Sequence, residues 1–510
     1  MLPCGSRAFD FQRTLDNLYA KQHPDGFICR EIVEADGSDL FYRHDPPSTG
    51  PNVLPWVEWE HYQTIGDDER LARVFPVLVA YHRWLRAYRT WPDGSYWTCG
   101  WGCGMDNQPR TGGGVQHAWW YHDHMAWIDT CLQQILSARL LTEMARVLGR
   151  RDQVADMERE IEALTALVNE RMWDEDTAFY YDRRADGSLS DVKTIGAYWA
   201  LLADVVPGDR LARFVAHLEN EAEFARPHRV PALSADHPAY AADGGYWCGG
   251  VWAPTNYMVL RGLTQAGYDD LAHEIGLNHL TRVVQVFEKT GTVWENYAPE
   301  MAAPGQAQRD FVGWTGLPPV AVLFEYVFDL RPDVPAGRLL WDVHLTEEHG
   351  VEDYPFGPEG MLTLHCAARS STAERPRIEA RSNVPLTFEL RWAGASRSIV
   401  SERNTERNII PGGGGPRRHA GLPHRITAGY FVPNRPFRTP AGRFLSTLYR
   451  RMVAEQFIPA VVEGHHARRR RTDQGSTSES HLLSALSSPS GPQGIRAGQI
   501  MQRHLTHDSA

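Results

Sequence analysis

Two carboxylic acids stand in short aromatic stretches that lie far apart in the sequence. Asp106 belongs to GMDNQPR (104–110), with Trp101 shortly before it, and Glu295 belongs to TVWENY (292–297). Cleavage of a glycosidic bond needs one carboxyl group that protonates the leaving oxygen and a second that drives the attacking group. Aromatic rings stack on the C–H faces of sugars. The pattern therefore indicates a glycoside-cleaving site built around Asp106 and Glu295.

Each acid also has a simpler interpretation. Asp106 could cap its own loop as an Asx turn, and Glu295 could be a solvated loop acid. Asn107 and Arg110 flank Asp106 and could hydrogen-bond hydroxyl groups or a carboxylate, since arginine grips a carboxylate with two parallel hydrogen bonds. An arginine that only braces the loop is an equally good interpretation. The further candidates for sugar contacts, most of which would look the same as core residues, are Trp56, Trp59, Trp101, Trp247, Trp252, Asn256, Tyr297 and Trp314.

Motifs for other chemistries are weak. His122, Asp123 and His124 are adjacent, so they cannot all point at one ion from a helix, and Cys99 and Cys103 have no second pair at ligand spacing. The glycines at 412–415 do not precede a Lys-Ser/Thr pair, as a phosphate-binding loop would require. We therefore predict no metal and no cofactor.

The elements that must position the acids are mostly helices. Apolar residues recur at three- and four-residue spacing over Asp67–Arg89, which predicts an amphipathic helix with an acidic first turn. About ten helices are predicted in all, joined by alternating short and long connections that carry the aromatic motifs. Their predicted ranges are Asp10–Gln22, Pro55–Ile65, Asp67–Arg89, His124–Leu148, Arg151–Trp173, Thr194–Val205, Asp209–Asn220, Val251–Gln265, Asp269–Glu288 and Asp310–Phe328.

The texture of the sequence changes after Pro335. MLTLHCA (361–367), RIEARS (377–382) and LTFELRW (386–392) alternate apolar and polar residues, which predicts strands. We predict three parts: a helical catalytic domain over 1–335, a small β-rich appendage over 339–400, and an Arg/Gly/Ser-rich tail over 401–510 that is disordered.

Composition narrows the class of protein. The 510 residues are 42% hydrophobic and 23% charged, and no apolar run of 18 or more residues is present. Residues 1–400 carry 36 basic and 56 acidic side chains, a balance that repels nucleic acid and anionic membranes. The seven cysteines are scattered, and the start lacks a basic segment followed by an apolar one. We expect a cytoplasmic protein with a small carbohydrate substrate and neither nucleic acid nor membrane as a partner; the sequence does not indicate its oligomeric state.

Five motifs in order resemble a known family. They are GMDNQPR, KTIGAYWALLA (193–203), GGYWCGGVWAPTNYMVLRGL (244–263), TVWENY and FVGWTGLPPVAVLFEYVFDL (311–330). Together they resemble glycoside hydrolase family 63, the group of the glucosylglycerate and mannosylglycerate hydrolases, and the related trehalases. The resemblance covers roughly residues 10–330. It implies an all-α (α/α)6 barrel and an inverting mechanism on an α-linked glucoside or mannoside, with Asp106 as general acid and Glu295 as general base. In an inverting enzyme the two carboxyl groups stand about 6.5–9.5 Å apart, which leaves room for the attacking water.

The sequence departs from the family pattern in two individual residues and in the number of helices. Family members usually carry Arg where Cys248 stands and a small Ser where Gln108 stands, so the substrate is less well defined than the mechanism. Ten helices are also fewer than the twelve of a full barrel, and the upstream helical pair with a Trp-Asp segment that family members have is not found. Either the N-terminus is shortened and the toroid incomplete, or the sequence pattern misses some of the helices. Two alternatives follow: a catalytically inactive carbohydrate-binding relative, or a sugar epimerase on the same barrel.

Overall fold

Helices dominate the chain as far as Val327. The computed structural model describes residues 11–307 and 311–402, except the side chains of 115 and 116, together with the backbone of 405–410. The α-helices are α1 (Gln12–Ala20), α2 (Leu54–Ile65), α3 (Asp68–Tyr88), α4 (Gly100–Cys103), α5 (Val115–Trp120), α6 (Ile128–Leu148), α7 (Ala155–Arg171), α8 (Trp199–Leu202), α9 (Gly208–Val215), α10 (Ala253–Gln265), α11 (Asp269–Thr290) and α12 (Pro318–Val322).

The long helices begin and end where the local chemistry requires. The Asp67 side chain accepts a hydrogen bond from the backbone N–H of Arg70 and so caps the start of α3. Asp269 and Asp270 place negative charge in the first turn of α11, where it interacts favourably with the helix dipole. Gly291 ends the same helix in the left-handed conformation at φ +76°, which favours glycine. The predicted ranges of these two helices are confirmed to within two residues at each end.

The helices bury their apolar faces against one another in pairs. α6 packs on α7 and α10 packs on α11, while α3 and α2 also contact α6. One buried cluster fills the space between α2, α3, α6 and α7. Its members are Tyr62, Leu71, Val74, Phe75, Leu78, Val79, Ala138, Leu141, Met144, Ala145, Val154 and Met157.

Several predicted helices differ from the structure, and the range Thr194–Val205 forms a 3₁₀ turn and the four-residue α8. Two other differences have clear local reasons. The helix predicted over His124–Leu148 begins only at Ile128, because Asp123 and His124 adopt positive φ values of 50° and 54°. The range predicted as one helix over Asp310–Phe328 is broken into a 3₁₀ turn at Gly313–Thr315, the short α12, and a π-helical turn at Leu323–Val327. Two consecutive prolines at the start of α12 explain that break, since proline can begin a helix but not continue one. Asp310 itself lies outside the described residues.

The strands form three small sheets. A two-stranded ribbon of Trp173–Asp174 (β1) and Phe179–Tyr180 (β2) lies within the helical part, and the other two sheets have four strands each with orders β3-β4-β8-β9 and β10-β7-β6-β5. Every neighbouring pair is antiparallel except β4 and β8. The strands of the larger sheets are β3 (Leu330–Asp333), β4 (Arg338–Asp342), β5 (His349–Phe356), β6 (Gly360–Cys366), β7 (Ile378–Ser382), β8 (Leu386–Trp392), β9 (Ala395–Ser401) and β10 (Thr405–Ile410).

Alternating burial explains why these strands could be read from the sequence. β6, β7 and β8 each place every second side chain in the interior, and all three predicted strands are confirmed. The first strand of the two larger sheets, β3, begins at Leu330, before the predicted start of the β-rich part at residue 339. The division into three domains stays a prediction. The predicted tail begins within β9 and includes β10, and its remainder lies outside the described residues.

The described residues therefore form a helix-rich body followed by small sheets, which agrees with the predicted helical fold and its small C-terminal β appendage. Closure of the helices into an (α/α)6 toroid stays a prediction. Within the described residues, no helix combines the length and the apolar character that crossing a membrane requires.

Candidate active site

Asp106 lies on a tight loop that follows α4. Gly104 ends that helix in the left-handed conformation at φ +77°, and its N–H bonds back to the carbonyls of Gly100 and Trp101. The loop then folds closely over the helix: a Cβ on Gly100 would lie 2.6 Å from the Asp106 carbonyl oxygen. Only glycine fits at that point, so the position of Asp106 depends on it.

Asn107 joins this loop to a second one at 244–248. Its amide nitrogen donates to the Gly245 carbonyl at 3.0 Å, and its amide oxygen accepts the Trp247 N–H at 2.8 Å. The Cys248 thiol in turn contacts the Asn107 carbonyl at 3.1 Å. These contacts give Asn107 the role of fixing the two loops to each other, whether or not it also reaches a ligand.

Arg110 is fully enclosed and is held by two buried carboxylates. Its guanidinium forms two hydrogen bonds with Asp129, at 2.7 and 3.1 Å, and two with Asp182, at 2.7 and 2.6 Å. It also stacks over the Trp127 ring at 4.2 Å. Of the two interpretations left open by the sequence, these contacts favour the brace.

The Glu295 loop is held at both of its ends. The backbones of Tyr297 and Val251 exchange two hydrogen bonds, which attach the loop to the segment before α10. The Thr315 hydroxyl donates to the Glu295 carbonyl, and a Cβ on Gly313 would lie 3.4 Å from the Glu295 Cγ. The segment 311–315 therefore covers the glutamate.

Each of the two acids has a raised pKa, and the charge of Asp106 acts on Glu295. Burial raises the pKa of Asp106, which is 7% exposed, to about 6, and the nearby positive charge of Arg30 opposes that rise. Burial raises the pKa of Glu295 to about 7, with a further contribution from the negative charge of Asp106. Among the described residues, no side chain hydrogen-bonds either carboxyl group. The pair can therefore hold and release a proton near neutral pH.

Several other buried acids of this protein, unlike Asp106 and Glu295, are paired with an arginine. Asp129 and Asp182 share the guanidinium of Arg110, and Glu58 forms two hydrogen bonds with Arg70 at 2.8 and 2.7 Å. Pairing with a cation compensates for the loss of water around a buried carboxylate. Leaving two carboxyl groups without such a partner is what a proton-transferring site requires.

Three tryptophans lie beside the loops that carry the acids. The rings of Trp247 and Trp252 stack in parallel with centroids 3.9 Å apart, and both are buried. Trp314 meets this pair edge-on at about 6 Å, is 50% exposed, and would lie 3.6 Å from a Cβ on Gly104. The stacked pair therefore supports the site from behind, while Trp314 presents a ring that a sugar could stack on.

The other aromatic candidates differ in position. Trp101 belongs to α4 and stacks on Trp119 with centroids 5.6 Å apart. Trp56 packs edge-on against Trp199 at 5.4 Å and donates to Glu60 at 3.1 Å. Trp59 packs against the buried cluster between α2, α3, α6 and α7. These contacts keep Trp101 near the site and favour packing roles for Trp56 and Trp59.

Asn256 and Tyr297 are completely buried. The Asn256 amide exchanges hydrogen bonds with the backbone of Val230 at 2.6 and 3.0 Å and donates to the Trp252 carbonyl at 2.9 Å. The Tyr297 hydroxyl accepts the Trp294 N–H at 3.2 Å. Because their polar atoms are used inside the protein, both residues position loops.

Two residues near the pair escaped the sequence analysis. Tyr246 has a raised pKa because it is buried and because the charges of Asp106 and Glu295 both act on it, so it lies close to each acid. Its φ of +61° is unusual for a tyrosine and places it between two glycine-rich turns. Arg30 donates to the Trp101 carbonyl and its charge acts on Asp106. Tyr246 belongs to the motif at 244–263, so the sequence could have indicated it. Arg30 lies outside all five motifs, and nothing in the sequence around it indicates a role at the site.

The two departures from the family pattern both have structural roles. Gln108 is buried, donates to the Ala232 carbonyl at 2.6 Å and accepts from the Thr194 hydroxyl at 2.8 Å. Cys248 is half-buried against the Asn107 carbonyl. Both therefore fasten the Asp106 loop to neighbouring segments of the protein.

Comparison with known proteins identifies the family of this chain. The family model of the mannosylglycerate hydrolase MGH1-like glycoside hydrolase domain matches residues 4–315. A protein of Borreliella burgdorferi is 23% identical over 364 residues, which are 69% of this chain and 74% of that protein. A probable mannosyl-oligosaccharide glucosidase of Schizosaccharomyces pombe is 24% identical over 281 residues, 48% of this chain but only 34% of the yeast protein.

A solved structure shares the fold. The glycoside hydrolase family 63 mannosylglycerate hydrolase of Thermus thermophilus, in complex with Tris and D-glycerate, superposes with a TM-score of 0.51 at 20% identity, covering 63% of this chain and 91% of that one. The same enzyme in complex with glucose gives a TM-score of 0.51 at 21% identity, with 63% and 90% covered. The family match spans more than half of the chain, and so this protein belongs to the mannosylglycerate hydrolase MGH1-like glycoside hydrolases and is a glycoside hydrolase.

Proposed function

We propose that the protein is an inverting glycosidase that hydrolyses a small α-linked glucoside or mannoside. Asp106 gives its proton to the glycosidic oxygen while the bond from that oxygen to the anomeric carbon breaks. Glu295 takes a proton from a water molecule whose oxygen attacks the anomeric carbon from the opposite face. The observation that carries the proposal is the pair itself: two acids with raised pKa values and no hydrogen bond from any described side chain, beside the exposed ring of Trp314.

The pair must hold one proton for this mechanism to work. Between about pH 6 and pH 7, the pKa values of the free site leave the pair with a single proton. The proposed roles need that proton on Asp106 when a sugar is bound. A ligand over Asp106 removes the remaining water around it and presents an ether oxygen as hydrogen-bond acceptor, and both changes favour the protonated acid. Binding of substrate therefore sets the direction of proton transfer.

The environment of Asp106 also favours an acidic leaving group. Arg30 is half-buried and donates one hydrogen bond to the Trp101 carbonyl, and its charge acts on Asp106. The guanidinium has five N–H donors, so further donors are available for a carboxylate beside the scissile oxygen. D-glycerate, which the Thermus enzyme binds, has such a group. We therefore expect glycerate glycosides to be better substrates than neutral disaccharides.

A substrate panel tests the activity. Wild type, Asp106→Asn and Glu295→Gln are assayed on glucosylglycerate, mannosylglycerate, trehalose, kojibiose and a nitrophenyl α-glucoside, and the product anomers are followed by NMR. The expected result is release of the β-anomer first, with kcat reduced by at least about 100-fold in both variants. First release of the α-anomer would contradict inversion. Full activity in either variant would remove that acid from the mechanism.

A second experiment tests Arg30. Arg30→Gln should raise KM for glucosylglycerate or mannosylglycerate by about 10-fold or more while changing KM for the nitrophenyl glucoside little, because only the first two carry a carboxylate. Arg43→Gln is the matched control, since Arg43 lies on the same stretch of chain but pairs with Asp25 at the surface. An equal loss on charged and neutral substrates would show that Arg30 acts only on the loop.

A further inference from the structure

Three potential metal ligands converge where the last long helix meets the strands. His273 belongs to α11, Asp329 follows the π-helical turn, and His344 follows β4. One ligand atom from each can be chosen so that all three lie within 4.8 Å of one another. The rings of His273 and His344 stack with centroids 4.5 Å apart. Two imidazoles and one carboxylate are a donor set that first-row transition metals prefer.

Both histidines are oriented as metal-bound histidines usually are. His273 Nδ1 lies 2.8 Å from the Tyr326 carbonyl, so it donates there, and no described residue hydrogen-bonds Nε2. His344 Nε2 lies 3.0 Å from the carboxylate of the exposed Asp270, which leaves Nδ1 facing the cluster. An oxygen acceptor on the far nitrogen fixes the tautomer and directs the near nitrogen at the ion.

Asp329 is completely buried and turned toward His344. Its Oδ2 lies 3.2 Å from His344 Nδ1, and its Oδ1 lies 2.5 Å from Arg331 Nη2. Two ligands placed 2.0–2.1 Å from a tetrahedral ion stand roughly 3.3 Å apart. The 3.2 Å separation of Asp329 Oδ2 and His344 Nδ1 is therefore also the spacing of two ligands of one ion.

The charge of the cluster leaves room for a cation. Asp269, Asp270, Asp329 and Asp342 surround the histidines. Arg331 is the guanidinium placed against them; it pairs with Asp269 at 2.7 Å and with the Oδ1 of Asp329 at 2.5 Å. Four carboxylates and one guanidinium are a balance of −3 with neutral histidines, which a divalent ion would reduce to −1. Arg331 engages the far oxygen of Asp329, so the oxygen facing His344 stays available.

The geometry points to a binding site for one divalent first-row transition-metal ion, held by His273, Asp329 and His344, with Asp342 as a further oxygen ligand. Asp342 Oδ1 lies 4.0 Å from His344 Nδ1, within reach of a small rearrangement. Two imidazole nitrogens exclude a preference for Mg²⁺ or Ca²⁺, which choose oxygen. Zn²⁺ suits the mixed donors and small coordination number best.

The position of the site suggests what the ion does. Its ligands come from α11, the turn after the π-helical segment and the chain after β4, so the ion would tie the helical part to the first sheet. An adjoining cleft of about 720 Å³ is lined by Asp269, Asp270 and Asp342 and gives an ion a route from solvent. The site shares no residue with the proposed catalytic pair, so its failure would leave the proposed function untouched.

Metal binding to the full-length protein tests the site. Protein freed of metal by a chelator is titrated with ZnCl₂ in a calorimeter, and its thermal midpoint is measured with and without Zn²⁺. We expect one saturable site per chain and a higher midpoint with Zn²⁺. His273→Gln and His344→Gln should each weaken binding by about 100-fold or more, since even loss of an outer partner costs 10–100-fold. Co²⁺ in wild type should show the visible absorption of a mixed nitrogen–oxygen site.

A matched variant separates this site from surface histidines. His365 lies on β6, where its ring is 3.0 Å from Glu348, and it is not one of the proposed ligands. His365→Gln should therefore leave the Zn²⁺ affinity unchanged. Equal loss in all three variants, or no saturable binding by wild type, would overturn the proposal and identify the cluster as a protonated His344 paired with carboxylates. If His344→Gln does not fold, His273→Gln and the Co²⁺ spectrum of wild type still decide.

Discussion

Replacing Asp106 with asparagine should stabilise this protein, and the gain should grow with pH. Burial raises the folded-state pKa of this acid to about 6 from its ordinary 3.8. The folded protein therefore binds the proton more tightly than the unfolded chain, so the stability that this group contributes is present below pH 4 and is lost as pH rises through about 6.

The size of the effect follows from the pKa difference. A difference of about 2 in pKa corresponds to about 3 kcal/mol of destabilisation at pH 8, where the group is ionised in both states. At pH 5 the cost is about 1.6 kcal/mol, because the folded form is still protonated. Burying an asparagine amide adds a contribution that does not depend on pH. The increase of about 1.4 kcal/mol between pH 5 and pH 8 is therefore the part that tests the electrostatics.

Urea unfolding measures this difference directly. Wild type and Asp106→Asn are unfolded at pH 5, 6, 7 and 8 with tryptophan fluorescence as the signal, which the 17 tryptophans make strong. Asp191→Asn is the control, because that side chain is 84% exposed and its removal should change stability equally at every pH. A free-energy gap between Asp106→Asn and wild type that stays constant or narrows from pH 5 to pH 8 would refute the raised pKa.

Three further tests concern the pH dependence of activity, the role of Arg110, and the close approach of Gly100 to the Asp106 loop. Hydrolysis measured from pH 4.5 to 9 should peak between about pH 6 and pH 7, since only there does the pair hold one proton; a flat profile would contradict a shared proton. Arg110→Met should lower the free energy of unfolding in urea by about 3–5 kcal/mol by leaving two buried carboxylates unpaired. Unchanged stability with a higher KM would instead mean that Arg110 binds substrate. Gly100→Ala should reduce kcat by at least about 10-fold by displacing the Asp106 backbone, whereas Gly112→Ala, whose Cβ meets no atom within 4 Å, should not. Equal kcat values for the two alanine variants would show that the close approach at Gly100 is not needed.

The long helices could be predicted because their signals are local. α3 has an acidic cap and a regular apolar spacing, and α6 and α11 end at glycines in the left-handed conformation. Strands β6 to β8 were equally legible from alternation. The prediction of one continuous helix over 311–328 was wrong. The apolar spacing there is helical, but the prolines and a glycine interrupt the helix. The spacing of apolar residues predicts which face of a helix is buried. Whether the helix continues depends on residues such as proline and glycine, which change the backbone conformation.

For the candidate site, the sequence identified the two acids but not the roles of their neighbours. Aromatic setting and the order of motifs drew attention to Asp106 and Glu295, and the structure gives both of them raised pKa values. The sequence could not show which neighbours point inward. Asn256 looked like a ligand-binding amide and is used on the backbone of Val230, whereas Arg30 is 76 positions from Asp106 and acts on it through space. His273, Asp329 and His344 were missed for the same reason, since each comes from a different element.

The contrast between Asp106 and its neighbours explains how the loop can be rigid and reactive together. Asn107, Gln108 and Arg110 each hydrogen-bond to other parts of the protein: the 244–248 loop, the Thr194 hydroxyl with the Ala232 carbonyl, and the Asp129–Asp182 pair. Each of those contacts fixes the loop without touching the Asp106 carboxyl group. A cation paired directly with Asp106 would hold it as firmly, but it would lower the pKa and remove the proton that the reaction needs. Anchoring through the neighbours is therefore the arrangement that keeps the acid in place and still able to ionise near neutral pH, and its cost is the instability that Asp106→Asn should relieve.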